Sequence, residues 1–356
     1  ISNVLIKNKA GFKSDDFMKI ADVEAHIRFS SLLKNPLVVD NIILKEPQVF
    51  LSRNENGENN WSFALFKPAA QIVSKDDLLG QTFTDVPPQF QNVEIVDGTI
   101  NYQNALSNSE YQLTNINGKL NSSSITGPFD FVGTMKQGQM PLNVTLHVDK
   151  LNLVAQTKFD LSLLNPSSKA VLSVQSGKIE KLSEVGQNFS GTFTFNIPKL
   201  SSFLVDSIGF KDLPEPLNKQ IVGNGSFNIS DKNAALTEVA VRYGNEANEN
   251  AVAADINFIF PLQVGDTTKV SSLLRFSNLN LDTFISYLPK PNSWQDVLVF
   301  AGNKLPTSAD LVLNAEKITL FDQAIKNVVF SADIHDKSVN IREAKALLPQ
   351  DTFVQT

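Results

Sequence analysis

Apolar and polar residues alternate with period two through most of this chain. Phe129, Phe131, Gly133 and Met135 alternate with polar or small neighbours, and Leu142, Val144, Leu146 and Val148 follow closely. The rhythm returns at Phe159, Leu161 and Leu163, at Phe193, Phe195 and Ile197, and at Phe227 and Ile229. It continues through Val252, Ala254, Ile256, Phe258 and Phe260, and again through Val328, Phe330, Ala332 and Ile334. Successive side chains of a strand point to opposite faces, so each stretch predicts a strand with one apolar face. Turn-like residues separate them: Asp97-Gly98, Asn117-Gly118, Lys136-Gln137-Gly138-Gln139, Ser176-Gly177, Ser230-Asp231-Lys232-Asn233 and His335-Asp336-Lys337. Strands spaced by roughly ten to fifteen residues with short links predict a mainly β chain, a long antiparallel meander sheet. A βαβ fold would need long helical patterns between the strands.

Helices are few and short. Ser14-Asp15-Asp16 can cap a helical turn through Phe17, Met18 and Ile20. Leu200 to Ile208 and Leu281 to Leu288 read as helices opened by Ser201 and Asp282, with further short helices expected at Trp294 to Phe300 and Asp76 to Leu79. The stretch 67–91, with Pro68, Pro87 and Pro88, reads as a linker or flap. It joins an N-terminal β segment, 1–66, to a continuing β region, 92–356, the whole forming one elongated domain. Phe195 to Leu204 is echoed by Phe276 to Ile285, each a strand ending in Leu-[Ser/Asp]-[Ser/Thr]-Phe-[Leu/Ile]. Such an echo implies repeated units that pack mainly on their neighbours. A twisted sheet of this many strands must pack on a second sheet, close as a barrel or curl around an apolar guest.

Composition narrows the choice. At 42% hydrophobic and 19% charged over 356 residues, the chain has enough apolar surface to fold. Phe 25 against Tyr 4 and Trp 2 means plenty of phenyl surface with almost no polar handle. Cys 0 excludes a disulfide framework, a thiol nucleophile and thiolate metal sites. The net charge of -6 argues against a duplex nucleic-acid binder, which needs basic charge to displace counterions. No apolar run approaches the ~20 residues that span a bilayer. The chain opens at Ile1 and closes on the strand-like Phe353-Val354-Gln355-Thr356, so it reads as part of a longer protein whose signal or anchor lies elsewhere.

Catalytic signatures are missing: there is no Gly-x-Ser-x-Gly elbow, Walker-type loop, Gly-x-Gly-x-x-Gly or His-Glu-x-x-His. Gly223-Asn224-Gly225-Ser226 resembles a nucleophile turn, but Phe227 and Ile229 continue a strand, so it reads as a strand-entry turn. His147 is out of phase with Leu146 and Val148 and should face solvent; His26 and His335 are isolated. The pairs Asp15-Asp16 and Asp76-Asp77 lack the alternating oxygen ligands and glycine of a calcium loop. No catalytic residue, metal ligand or cofactor is expected. The side chains that could line an apolar binding surface are Phe129, Phe131, Val144, Leu146, Phe159, Phe193, Phe195, Phe227, Ile229, Ile256, Phe258, Phe260 and Phe276. Periodicity alone leaves open which line a groove and which a closed core.

The N-terminal third carries a more specific signal. Asn8-Lys9-Ala10-Gly11-Phe12 is followed by Ile20-Ala21-Asp22-Val23-Glu24-Ala25, by Ser31-Leu32-Leu33, and by Val38 to Leu44. Ile42-Ile43-Leu44-Lys45-Glu46-Pro47-Gln48-Val49-Phe50-Leu51 then leads to Asn56-Gly57-Glu58-Asn59-Asn60-Trp61. Val93 to Tyr102 and Ile116-Asn117-Gly118-Lys119-Leu120 follow in order. Together these landmarks resemble the AsmA-like family, bridge-like proteins of the bacterial envelope with a repeating, taco-like β-groove. The Leu281-Asp282-Thr283-Phe284 helix and the strands after Leu305 fit the same layout. The resemblance implies a non-enzymatic protein of the periplasm, anchored to the inner membrane, whose groove takes phospholipid acyl chains and supports outer-membrane biogenesis. An alternative it leaves open is an assembly factor that offers sheet edges to outer-membrane proteins. Other envelope proteins are possible partners, and anchoring follows from kinship alone, since the membrane helix of such proteins is not in this sequence. Locally, Pro47 suits a strand start, Asn54-Glu55-Asn56-Gly57 a polar turn, and Trp61 an end plug with its N–H on a polar partner.

Overall fold

The computed structural model describes residues 1–27, 38–61, 89–180, 188–208, 218–245, 250–262, 268–285, 308–335 and 338–355, apart from 107, 123, 125, 153, 154 and 231. The fold is mainly β, as the alternation predicts; the described residues hold 19 strands, most of them paired antiparallel with a neighbour. The chain forms two compact units, Ile1–Pro166 with Ser173–Gly191, and Ser167–Leu172 with Thr192–Thr356. The expected linker at 67–91 lies almost wholly outside the described residues, as do the helices expected at Asp76 and Trp294.

The first unit holds β1 (Ser2–Lys7), β2 (Asp16–Ile27), β3 (Val38–Lys45), β4 (Gln48–Arg53), β5 (Gln89–Asn104), β6 (Ser109–Ser122), β7 (Phe129–Gln137), β8 (Met140–Val148), β9 (Thr157–Leu164) and most of β10 (Val171–Ile179). From β5 to β9 each strand pairs antiparallel with the next. β3 and β4 both run parallel to β5 in one register, Lys45 opposite Val96 and Gln48 opposite Thr99. They are therefore one strand interrupted at Glu46-Pro47. Pro47 has no N–H to give the ladder, but its carbonyl still accepts from Thr99 N at 2.8 Å.

The second unit holds most of β11 (Phe189–Ile197), then α1 (Leu200–Ile208), β12 (Ile221–Ile229), β13 (Asn233–Tyr243), β14 (Val252–Pro261), β15 (Lys269–Asn280), α2 (Asp282–Ile285), β16 (Ser308–Leu320), β17 (Gln323–His335), β18 (Ser338–Leu348) and β19 (Thr352–Gln355). α1 has the expected bounds; the part of the second expected helix beyond Ile285 lies outside the described residues. Both copies of the sequence echo run from strand into helix. Leu200 N–H donates to Lys219 O at 3.3 Å, and its counterpart Leu281 N–H donates to Thr319 O at 2.9 Å. The β15–β16 pairing is parallel, unlike the antiparallel ladder expected, because a connection of more than twenty residues can return the chain to the same end. Leu279, Ala315 and Ile318 form a small buried core there, with Phe276, Leu281, Leu313, Ile325 and Val328 packed on it.

Three local readings are corrected. Ser14 to Ile20 is not a helical turn: the chain enters β2, where Phe17 and Ile20 are buried and Ile20 pairs with Val4. Ser14 caps an Asx-like turn instead, its hydroxyl donating to Asp16 O at 2.7 Å, since the same hydroxyl chemistry serves turns and helix starts. Asp97-Gly98, Asn117-Gly118 and Ser176-Gly177 are not hairpin turns but lie inside β5, β6 and β10. Asp97, Asn115 and Ser176 have φ of 55°, 50° and 50°, and the β5–β6 and β6–β7 registers shift there. A bulge of this kind needs the same left-handed backbone as a tight turn, so Asp, Asn and Gly mark both. Gly223 to Ser226 likewise sits within β12 rather than at its entry.

Candidate apolar binding face

Strand register decides which side chains share a face. In the first unit Phe129 lies opposite Val148 and Val148 opposite Phe159; Phe131 lies opposite Leu146, and Leu146 opposite Leu161. Gly133, Val144 and Leu163 form the next rung. Thus Phe129, Phe131, Val144, Leu146 and Phe159 come together on one face, joined by Leu120 opposite Phe131. In the second unit Phe227 lies opposite Leu236 and Leu236 opposite Phe258. Ile229, Ala234 and Phe260 form one rung, and Ile256 pairs with Val239. Phe276 pairs with Ala315, which pairs with Val328.

Bulges keep these faces coherent. Across β5 the apolar phase passes from Val93 and Ile95 to Gly98, Ile100 and Tyr102; across β13 it passes from Ala234 and Leu236 to Val239 and Val241. Each slip of one residue coincides with a residue at positive φ, Asp97 or Glu238, so the apolar side chains stay on the same side past the bulge.

The phenyl rings lie down on this floor rather than standing off it. A Cβ built on Gly133 would sit 2.7 Å from Phe131 Cζ, and one on Gly177 2.5 Å from Phe159 Cζ. A Cβ on Gly223 would meet the Phe195 ring at 2.6 Å, and one on Gly225 would meet Phe193 Cζ at 3.0 Å. Glycine is what permits a ring to recline across a strand, and the ring in turn shields the backbone that glycine leaves bare. The Phe193 and Phe195 rings stack at 6.3 Å, and those of Phe258 and Phe260 at 6.4 Å.

Among the described residues these phenyl groups are half-buried, and Phe260 and Ile229 are 43% and 41% exposed. Val144 is buried, as are small residues such as Ala309, Ala315 and Ala332. Inward-facing phenylalanines between two packed sheets are enclosed on all sides. Here the large rings keep accessible surface while the small side chains between them are covered.

Among the described residues Tyr102, Tyr111 and Tyr243 sit near strand ends on these faces, and Trp61 in the turn that follows β4. Tyr102 lies opposite Tyr111 with ring centroids 6.3 Å apart, and Trp61 is 6.0 Å from Tyr102. Neighbouring Asn60 anchors that end: its amide donates to Phe50 O at 2.6 Å and its carbonyl accepts from Ser52 N at 2.8 Å. Arg53 Nε donates to Gly57 O at 3.2 Å, which folds the turn back over β4. Tyr243 closes β13, and burial pushes its hydroxyl pKa up to about 12. Polar handles are thus present on the apolar faces, but at their margins.

The opposite faces are polar. His147 faces that side as expected, with Nδ1 2.6 Å from Asp130 Oδ1 and Nε2 3.2 Å from Asp149 Oδ1. Those two hydrogen bonds, Asp130 first, raise its pKa above the ordinary value of 6.5. The acidic partners escape a reading of sequence spacing because Asp130 comes from the neighbouring strand. Arg275 pairs with Asp255, and Arg342 bridges Asp310 and Asp333. Among the described residues no group of His, Cys, Asp and Glu could hold a metal ion, and no helix is long and apolar enough to cross a membrane.

No curated protein and no solved structure matches the chain. A family model does: that of the AsmA family matches residues 1–183, just over half of the 356. The matched span includes the Pro47 junction, the Asn60 anchor and the Phe131–Leu146–Leu161 rung, and by this match the chain belongs to the AsmA family.

Proposed function

We propose that this chain is a non-enzymatic protein of the bacterial envelope whose apolar β faces hold phospholipid acyl chains and support lipid movement between the inner and outer membranes. The observation that carries this reading is the set of half-buried, glycine-seated phenyl rings sharing one face within each unit. Membership of the AsmA family supports the envelope setting. In this reading the chain acts in the periplasm, held at the inner membrane.

The mechanism is passive. Each acyl methylene moved from water onto apolar surface contributes up to about 0.8 kcal/mol. A floor of phenyl and aliphatic groups makes no directional demand, so a chain can slide along it without breaking hydrogen bonds. Head groups stay at the wetter margin. No side chain is required to form or break a covalent bond.

Native mass spectrometry of the gently purified chain, with extraction and identification of bound lipid, tests the reading. Co-purified phospholipid supports it. Protein that is empty of lipid yet captures unfolded outer-membrane strands sinks it in favour of an assembly factor acting through sheet edges.

A further inference from the structure

At β4, β5 and β6 lies a cavity of mixed character, to whose lining Leu51, Tyr102 and Tyr111 contribute alongside polar side chains. Register sets two rungs side by side there: Phe50, Asn101 and Gln112 in one, and Ser52, Gln103 and Glu110 in the next. With Lys13 from the β1–β2 loop they line an open cavity of ≈ 480 Å³. Gln112 Nε2 donates to Asn101 Oδ1 at 2.9 Å, and Gln103 Nε2 donates to Glu110 Oε1 at 2.7 Å. Lys13 Nζ stands 3.7 Å from the same Glu110 oxygen, which nearly cancels the local charge.

Each rung keeps hydrogen-bonding capacity. Asn101 retains its amide donors, Gln112 and Gln103 their carbonyl acceptors, and Glu110 its second carboxylate oxygen. The Ser52 side chain, 6% exposed in the cavity wall, has a hydroxyl with no hydrogen-bond partner, an uncommon state for a buried polar group. Phe50 adds an aromatic ring to the wall, with Lys19 Nζ 5.5 Å from its centroid on one face, which leaves the other face for a ligand.

We propose that this cavity binds a saccharide. Sugar hydroxyls both donate and accept, as the amides here do, and the C–H face of a pyranose packs on a phenyl ring. A phosphate group would want more cationic donors than one ion-paired lysine. An acyl chain would leave the amides unsatisfied.

Saturation-transfer NMR with the intact chain and three soluble trisaccharides, chitotriose, cellotriose and maltotriose, tests the proposal. Transfer to at least one is expected, weakened about tenfold in Gln112→Ala and in Gln103→Ala, each of which removes a hydrogen-bonding group from the site. Val132→Ala, at an exposed position outside the cavity, should leave binding unchanged. A second arm uses phosphatidylcholine vesicles with and without a glycolipid: recruitment only by glycolipid assigns the sugar to a lipid, and transfer to a free trisaccharide assigns it to a glycan. No transfer at about 10 mM together with no glycolipid recruitment, or binding unaffected by the glutamine variants, would overturn the proposal.

Discussion

The side-chain carbonyl of Asn117 accepts the backbone N–H of Asp97 at 2.9 Å, across the β5–β6 ladder. Asp97 has positive φ and sits where the register slips, so its N–H faces no backbone carbonyl. The same device recurs where Asp160 accepts from Ser176 N at 2.7 Å and Asn257 accepts from Glu238 N at 2.9 Å. In each case a residue at positive φ inside a strand gives its N–H to a short polar side chain of the neighbouring strand.

Removing that acceptor should cost stability without changing the fold. Asn117→Ala is expected to lower the unfolding free energy by about 1 kcal/mol, while Asn117→Asp, which keeps the acceptor but gives up the Nδ2 bond to Asn115 O, should recover part of that loss. Urea unfolding at constant m-value checks this. Equal midpoints for the two variants would show that the cap contributes nothing.

The Gly177–Phe159 contact should behave as a coupled pair. The nearest atoms to a Cβ on Gly177 all belong to the Phe159 ring, at 2.5 to 2.8 Å. Gly177→Ala is expected to destabilise by about 1–3 kcal/mol through overpacking. In the Phe159→Leu background the same change should cost markedly less, giving a non-additive double-mutant cycle. Additive unfolding energies would mean that the ring does not rest on the glycine.

Phe258→Asp separates an open face from a closed core. The Phe258 ring is half-buried and stacked on Phe260, so a carboxylate there can reach water. Retained fold with at least severalfold less co-purified phospholipid is expected, measured by a thermal melt beside lipid quantification. Global unfolding would instead indicate an enclosed core, in which an unpaired charge is not tolerated.

His147 should carry a pH-dependent contribution of definite sign. Its hydrogen bonds to Asp130 and Asp149 favour the charged ring, so its folded pKa lies above the unfolded value of 6.5. The stabilisation is therefore complete below pH 6.5 and is lost as pH rises through the folded pKa. NMR titration should find His147 above 6.5, and Asp130→Asn should lower it. Because the pair is well exposed, added salt should shrink the shift. A wild-type value at or below 6.5 would refute the pairing in solution.

Much of the apolar surface was legible from local pattern. Phe129, Phe131, Val144, Leu146 and Phe159 share a face because alternation is strict from β7 to β9, where no register shift intervenes. Tyr102, Tyr111, Tyr243 and Trp61 were harder, since an aromatic near a strand end or in a turn carries no periodic mark. The polar rungs behind them were invisible: Gln103 and Glu110 face each other only once β5 and β6 are in register. The bulges were misread as turns because Asp97-Gly98 has the same local backbone requirement in both settings.

By itself the sequence determined strand content, the sense of each face and membership of a recognisable family, because period two and short motifs are local properties of the backbone. Tertiary structure decided how the chain passes from one apolar phase to the next and which strands run parallel, as β3, β4 and β15 do. It also decided that phenyl rings come to rest on glycines. These outcomes depend on which strand lies alongside. A residue such as Gly177 has no local reason to be glycine until the Phe159 ring is laid across it.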